Sequence, residues 1–225
     1  MIRPAAIAVT VLTRRGQSQF KLFRAEAHYH IAVHITVFCS SSDAVDPAFF
    51  DVATELGSMI AQRRDTLVYG GATVGLMGAM ARAAVENGGN VIGVIPRYMS
   101  EKGIDFTDCE LHFTRDLRER KAKMEQLADA FIVLPGGFGT LEEVLEILTL
   151  KQLHQHQKAI VLLNACGFFD PLQQLFEHVY RQRFARETTR ALYHFAPTVA
   201  DTFGYLDTYV PADVPTKWFS PILKP

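Results

Sequence analysis

The apolar run Ala130-Phe131-Ile132-Val133-Leu134 leads directly into Pro135-Gly136-Gly137-Phe138-Gly139-Thr140-Leu141-Glu142-Glu143, and no other stretch restricts the fold as much. Five successive apolar residues read as a strand covered on both faces. Leu141, Val144, Leu145, Ile147 and Leu148 then recur at helical spacing. The order is strand, glycine turn, helix. At such a junction the first helical N–H groups have no intrahelical partner, and the helix dipole draws anions to them. Glycines let a ligand approach the backbone closely. Gly136, Gly137, Gly139 and Thr140 are therefore candidate phosphate ligands, with the carboxylates of Glu142 and Glu143 in the first turn.

A second junction of the same kind lies upstream. Thr66-Leu67-Val68-Tyr69 reads as a strand, Gly70-Gly71-Ala72-Thr73-Val74-Gly75 as a turn, and the residues to Glu86 as a helix. Two glycine turns after strands of one sheet imply one crevice at the carboxyl ends of those strands. Gly70, Gly71 and Ser40, from the serine-rich end of an earlier strand, are candidates for lining it. Neither turn has the G-x-G-x-x-G dinucleotide spacing or a G-K-[ST] ending, which argues against NAD binding and P-loop hydrolysis.

The rest of the chain agrees with this frame. Ile35–Cys39, Val91–Ile95, Glu110–Phe113 and Ala159–Leu163 read as further strands. Phe49–Arg63, Leu117–Leu127, Leu141–Leu153 and Pro171–Arg183 read as helices, the first opened by Asp46-Pro47. Apolar strands alternating with helices specify an α/β fold: one doubly wound domain with a mainly parallel sheet and helices on both faces. Residues 1–33, with five Lys or Arg against Glu26 alone, read as a basic, flexible extension outside it. The domain spans 34–218, followed by a tail at 219–225.

A net charge of −1 gives no broad basic field for nucleic acid. No run of eighteen or more apolar residues suggests a membrane span. The three cysteines, Cys39, Cys109 and Cys166, have no metal or redox spacing, which fits a reducing cytoplasm. The histidines show no metal-ligand pattern, so no metal site is expected.

The segment Asp116-Leu117-Arg118-Glu119-Arg120-Lys121-Ala122-Lys123-Met124 should start a helix on the same side of the sheet as the glycine turns. Leu117, Arg120, Lys121 and Met124 fall on one stripe. Leu117 and Met124 are expected to pack, with Arg120 and Lys121 between them on a half-buried face. Cations placed there need anionic partners, either Glu142 or Glu143 or a bound phosphate. Arg118 and Lys123 face solvent.

The Arg120-Lys121 pair followed by the Pro135–Glu143 signature resembles the Lonely Guy (LOG) family, once labelled lysine decarboxylases. Members are cytokinin riboside 5′-monophosphate phosphoribohydrolases or related nucleotide nucleosidases. The resemblance runs from His34 to Trp218. It includes Tyr69-Gly70-Gly71, Gly75-Leu76-Met77-Gly78, Ile95-Pro96, Gln152-Leu153 with His156 and Lys158, and Leu162-Leu163-Asn164. Leu117, Ala72, Leu150, His154 and Ala159 depart from the family's usual Met, Gly, Trp, Gly and Pro.

The resemblance implies a Rossmann-like LOG domain that cleaves the N-glycosidic bond of purine nucleoside 5′-monophosphates, N6-modified ones included. It casts Glu143 and Arg120 as catalytic residues. It places Gly136, Gly137, Gly139, Thr140, Lys121, Glu142, Gly70, Gly71 and Ser40 around phosphate and ribose, and it requires no cofactor. It also implies a homodimer. The alternative on the same scaffold is a non-catalytic nucleotide or cofactor carrier, which loss of Arg120 or Glu143 would indicate; both are present. A PLP-dependent decarboxylase would need a Schiff-base lysine with an acid for the pyridine nitrogen, usually on a longer chain, and no such pattern is visible.

Overall fold

A computed structural model describes residues 31–215, together with the backbone of two further strands, β1 (Ile7–Leu12) and β2 (Ser18–Phe23). The chain divides into two units, Met1–Ile31 and Ala32–Pro225. In the first, β1 and β2 pair antiparallel, Ile7 opposite Phe23 and Leu12 opposite Ser18. This strand pair lies within the stretch read from sequence as an extension. Trp218 and the expected tail at 219–225 lie outside the described residues.

The second unit is built on a seven-stranded parallel sheet. In chain order its strands are β3 (His34–Phe38), β4 (Thr66–Tyr69), β5 (Asn90–Pro96), β6 (Glu110–Thr114), β7 (Ala130–Val133), β8 (Ala159–Leu163) and β9 (His194–Ala196). In space the order is β6-β5-β4-β3-β7-β8-β9. The chain thus winds outward from β3 to one edge, returns to the other side of β3 as β7, and winds outward again. β3 is the switch point, where connections leave in opposite directions and open a crevice at the strand ends.

The helices are α1 (Pro47–Gln62), α2 (Gly75–Glu86), α3 (Arg97–Ser100), α4 (Leu117–Leu127), α5 (Phe138–Gln152), α6 (Asp170–Arg181) and α7 (Val199–Thr208). Strand residues alternate between two core layers. Ile35, Val37 and Ile132 meet Leu56, Leu76 and Phe203 from α1, α2 and α7. Phe38, Phe131 and Val133 meet Met124, Val144 and Ile147 from α4 and α5. β7 and β8 are buried along their whole length because helices cover both faces. Edge strand β6 is polar and largely unburied, as an edge open to solvent requires. Among the described residues no helix is long and apolar enough to cross a membrane.

Asp46 caps α1 by accepting from the Ala48 N–H, with Pro47 in the first turn, as the Asp-Pro pair predicts. Asp116 caps α4, accepting from the N–H groups of Arg118 and Glu119. One packing expectation fails. Met124 is fully buried, but Leu117, the first residue of α4, is 46% exposed. Short elements escaped the sequence reading, the four-residue α3 among them. β9 is three residues long and α7 ten, the latter capped by Thr198, and neither carries a long enough run to establish a period.

Candidate active site

β3, β4 and β7 end side by side, and their following loops meet. Ser40 joins them: its N–H donates to the Pro135 carbonyl (3.1 Å), and its carbonyl accepts from the Leu76 N–H (3.0 Å). The serine loop and the Pro135 turn enclose a cavity of about 290 Å³. Ser40, Ser42, Gly136 and Gly137 form its polar wall, and Phe49 and Phe168 part of its apolar wall.

The α5 N-terminus opens toward this space. Gly137 is the N-cap and has no side chain to cap the helix. The first intrahelical bond is from the Leu141 N–H to the Gly137 carbonyl, so the N–H groups of Phe138, Gly139 and Thr140 precede any intrahelical partner. Around Gly137 and Gly139 a Cβ would meet no protein atom within 4 Å. Protein packing does not demand glycine at those two positions, but a closely held ligand would. Gly136 differs, because a Cβ there would lie 2.2 Å from Thr140 Oγ1. Its role is to let the turn close on the helix.

Behind the cradle lies a buried ion pair. Arg120 Nη1 donates to Glu143 Oε1 at 3.2 Å, with the two side chains only 13% and 11% exposed. Arg120 Nε is held by the Val94 carbonyl at 3.0 Å. The α4 backbone is tied to the sheet where Thr36 Oγ1 donates to the Met124 carbonyl. Burial pushes the Glu143 carboxyl up to about 7 against the opposing pull of Arg120, with Glu142 adding to the rise. A carboxylate poised near neutrality suits proton transfer or charge stabilisation. Cys39, at the end of β3, lies within electrostatic reach of the pair; burial first, and then Glu143, push its thiol well up. It is a neutral neighbour of the pair.

The remaining sequence candidates separate into two groups. Lys121 pairs with Glu142 and with Glu146 (2.8 Å), clamping α4 to α5 on the outer side. Burial lowers the lysine's pKa, but the hydrogen bonds to the two glutamates outweigh that and leave it raised. The predicted anionic partner is thus Glu142, and neither residue lines the cavity. Gly70 is a spacer for Arg120, since a Cβ there would sit 2.0 Å from Nη2. Gly71 packs on Ile95 and Val94. Arg97, considered for the same crevice, lies over the Phe113 ring at the sheet edge. His156 is buried, bonded to the Ile147 carbonyl and the Lys158 N–H, and is a structural residue at the end of α5. Asp43, Phe49 and Phe168 line or border the crevice without a sequence signal. An acid after a serine run, an aromatic in the first turn of α1 and one in the loop after β8 have no fixed spacing. Among the described residues no group of three or more His, Cys, Asp or Glu is placed to hold a metal ion.

A family model described as "Possible lysine decarboxylase" matches residues 77–206. The cytokinin riboside 5′-monophosphate phosphoribohydrolase LOG of Oryza sativa subsp. japonica is 40% identical, over 79% of this chain and 74% of its own length. A cytokinin riboside 5′-monophosphate phosphoribohydrolase of Arabidopsis thaliana is 38% identical, over 79% of this chain and 83% of its own. The chain belongs to the LOG family. Among solved structures, the molybdenum cofactor binding protein from Rippkaea orientalis superposes with a TM-score of 0.63 at 21% identity, over 79% of this chain and 96% of that one. A Moco carrier protein from Chlamydomonas reinhardtii gives 0.62 at 23% identity, with the same coverage of both chains. At these identities the two structures share the fold with this LOG-family chain, and the likeness reaches no further.

Proposed function

We propose that this protein hydrolyses the N-glycosidic bond of purine nucleoside 5′-monophosphates, N6-modified ones included, to free base and ribose 5-phosphate. The observation that carries this reading is the Arg120–Glu143 pair, buried directly behind an uncapped helix N-terminus whose Gly137 and Gly139 leave room for a ligand. The names of relatives such as the Oryza enzyme support it.

In this reading the N–H groups of Phe138, Gly139 and Thr140, with the Thr140 hydroxyl, hold the phosphate. The C1′–N bond lengthens and positive charge spreads over C1′ and the ring oxygen, as in glycoside hydrolysis. The Glu143 carboxylate stabilises that charge, orients the water that adds to C1′ and takes its proton, while the departing base takes up one proton from solvent. Arg120 cannot donate a proton near neutrality, so it orients Glu143 and favours its carboxylate form against the effect of burial. Ser40 belongs to the crevice wall. Lys121 and Glu142 act indirectly, by fixing α4 against α5.

A decarboxylase reading of the family description finds less support. Of the lysines nearest the crevice helices, Lys121 is engaged by two glutamates, and Lys151 is buried against the Leu192 carbonyl (2.8 Å). The assay that tests the hydrolase reading is base release from AMP, N6-isopentenyl-AMP and the matching nucleosides. Monophosphates should be cleaved and nucleosides left nearly intact. Equal rates on AMP and adenosine would overturn the phosphate anchor.

The same reading carries two further elements. We propose a homodimer, supported by an apolar groove of about 250 Å³ between α5 and α6, with Leu148, Phe176 and Val179 in its lining and the half-exposed Leu145 at its edge. A monomer by light scattering at micromolar concentration would refute it. The free thiols of Cys39, Cys109 and Cys166 suit a reducing cytoplasm.

A further inference from the structure

Two helix N-termini border the same cavity, since both Leu76 of α2 and Gly137 of α5 line it. They are treated in opposite ways. The α5 terminus is uncapped, and its glycines leave open space. At α2 the N-cap residue is Val74, which offers no side-chain acceptor. The terminus is instead closed from a distance: Asp43, in the loop after β3, accepts from the Gly75 N–H at 2.8 Å. The Ser40 carbonyl takes the next donor, the Leu76 N–H. Gly75 makes this approach possible, with φ of +58° and the Ser40–Ser41 backbone within 2.5–2.8 Å of where its Cβ would be.

A neutral Asn or Ser at position 43 would satisfy the same N–H about as well. The full negative charge adds something those residues would not, namely repulsion of any other anion that nears α2. We propose that Asp43 is a specificity-determining residue, a built-in anion that fills the place a second phosphate would take. The crevice then accepts one phosphate, at α5, and turns away pyrophosphate and nucleoside diphosphates. This rests on the reading that α5 holds the substrate phosphate.

The test is calorimetric binding of inorganic phosphate, pyrophosphate, AMP and ADP to the wild type, Asp43→Asn and Asp43→Ser. Both replacements keep a capping acceptor and remove the charge, and thermal unfolding of each checks the fold. The informative quantities are the pyrophosphate-to-phosphate and ADP-to-AMP affinity ratios, because any loss common to both ligands cancels. Both ratios should rise about fivefold in each variant, the scale of removing one exposed anion from a helix terminus at low salt. Ratios unchanged within about twofold, with phosphate still bound, would overturn the role of Asp43 and leave the phosphate anchor standing. Failure of the wild type to bind phosphate would overturn both.

Discussion

Gly70 is a glycine because of Arg120: a Cβ on residue 70 would lie 2.0 Å from the Arg120 Nη2 and 2.7 Å from the Met77 sulfur. The residue that follows β4 thereby sets the position of a guanidinium that comes from α4, fifty residues later. Gly70→Ala should therefore act on activity more than on stability. The new methyl meets the end of a side chain that can swing away, but doing so breaks the 3.2 Å contact with Glu143. We expect kcat/KM for a monophosphate to fall on the order of a hundredfold, comparable to losing one oriented catalytic group. The loss of stability should stay near 1–2 kcal/mol, roughly the cost of modest overpacking. A variant that keeps near-normal turnover would show that Arg120 need not sit there.

Glu143→Gln should lower kcat by about 10²–10³-fold while phosphate still binds, because the amide keeps the shape and loses the charge. Arg120→Ala should do similar damage. The double variant should be little worse than either single one, since residues acting as a unit are non-additive. Arg118→Ala, on the exposed face of the same helix, should match the wild type. Multiplicative losses in the double variant would mean that the two residues act separately.

Much of this arrangement was legible in the sequence because the site is built from short, ordered motifs. Pro135 to Glu143 had to be a strand-to-helix junction, and Arg120 had to share a stripe with Met124. Helical periodicity by itself therefore places a cation behind the glycine turn. What periodicity could not supply was which acid it meets. Glu142 and Glu143 are adjacent, about 100° apart around α5, and only the packing of α4 assigns Arg120 to Glu143 and Lys121 to Glu142. The roles of the glycines were also hidden. Gly70, Gly136 and Gly137 look alike in sequence, yet the first makes room for Arg120, the second for Thr140, and the third leaves open space. Asp43 was invisible because it caps a helix that begins 32 residues downstream.

Burial sets a pH dependence on both activity and stability. If the Glu143 carboxylate is the active form, kcat/KM should rise with pH and level off above about 7, where burial has placed its pKa. A flat profile from mildly acidic to mildly alkaline pH would contradict this. Stability should move the other way. The folded state holds the Glu143 proton up to about 7, whereas the unfolded chain releases it near its ordinary value of about 4.3. This group's contribution is thus full at acid pH and lost as pH climbs through that window. His156 has the opposite slope, because burial lowers its pKa to about 4; its contribution is present at neutral pH and lost on acidification. The Tm difference between Glu143→Gln and wild type removes the His156 effect, as the two sites are independent. That difference should favour the variant increasingly as pH rises from about 4.5 to 7.

Gly136 and Gly139 lie three residues apart in the same turn and should give opposite signatures when replaced by alanine. At Gly136 the new methyl would meet Thr140 Oγ1 at 2.2 Å and Thr140 Cβ at 2.6 Å. Because a Cβ cannot rotate away, the turn must shift, and a loss of about 1–3 kcal/mol is expected. At Gly139 no protein atom lies within 4 Å of the added methyl, and the residue is already within α5. Alanine is the better helix former there, so the fold should gain up to about 0.5–1 kcal/mol. The same methyl takes up space beside the N–H groups that would hold the phosphate. KM for AMP should rise about tenfold or more, equivalent to roughly 1.4 kcal/mol of lost binding. Thermal unfolding and steady-state kinetics on the two variants decide the matter. A Gly139→Ala protein that is both more stable and fully active would place the phosphate elsewhere, and the glycine would then have no role that the structure explains.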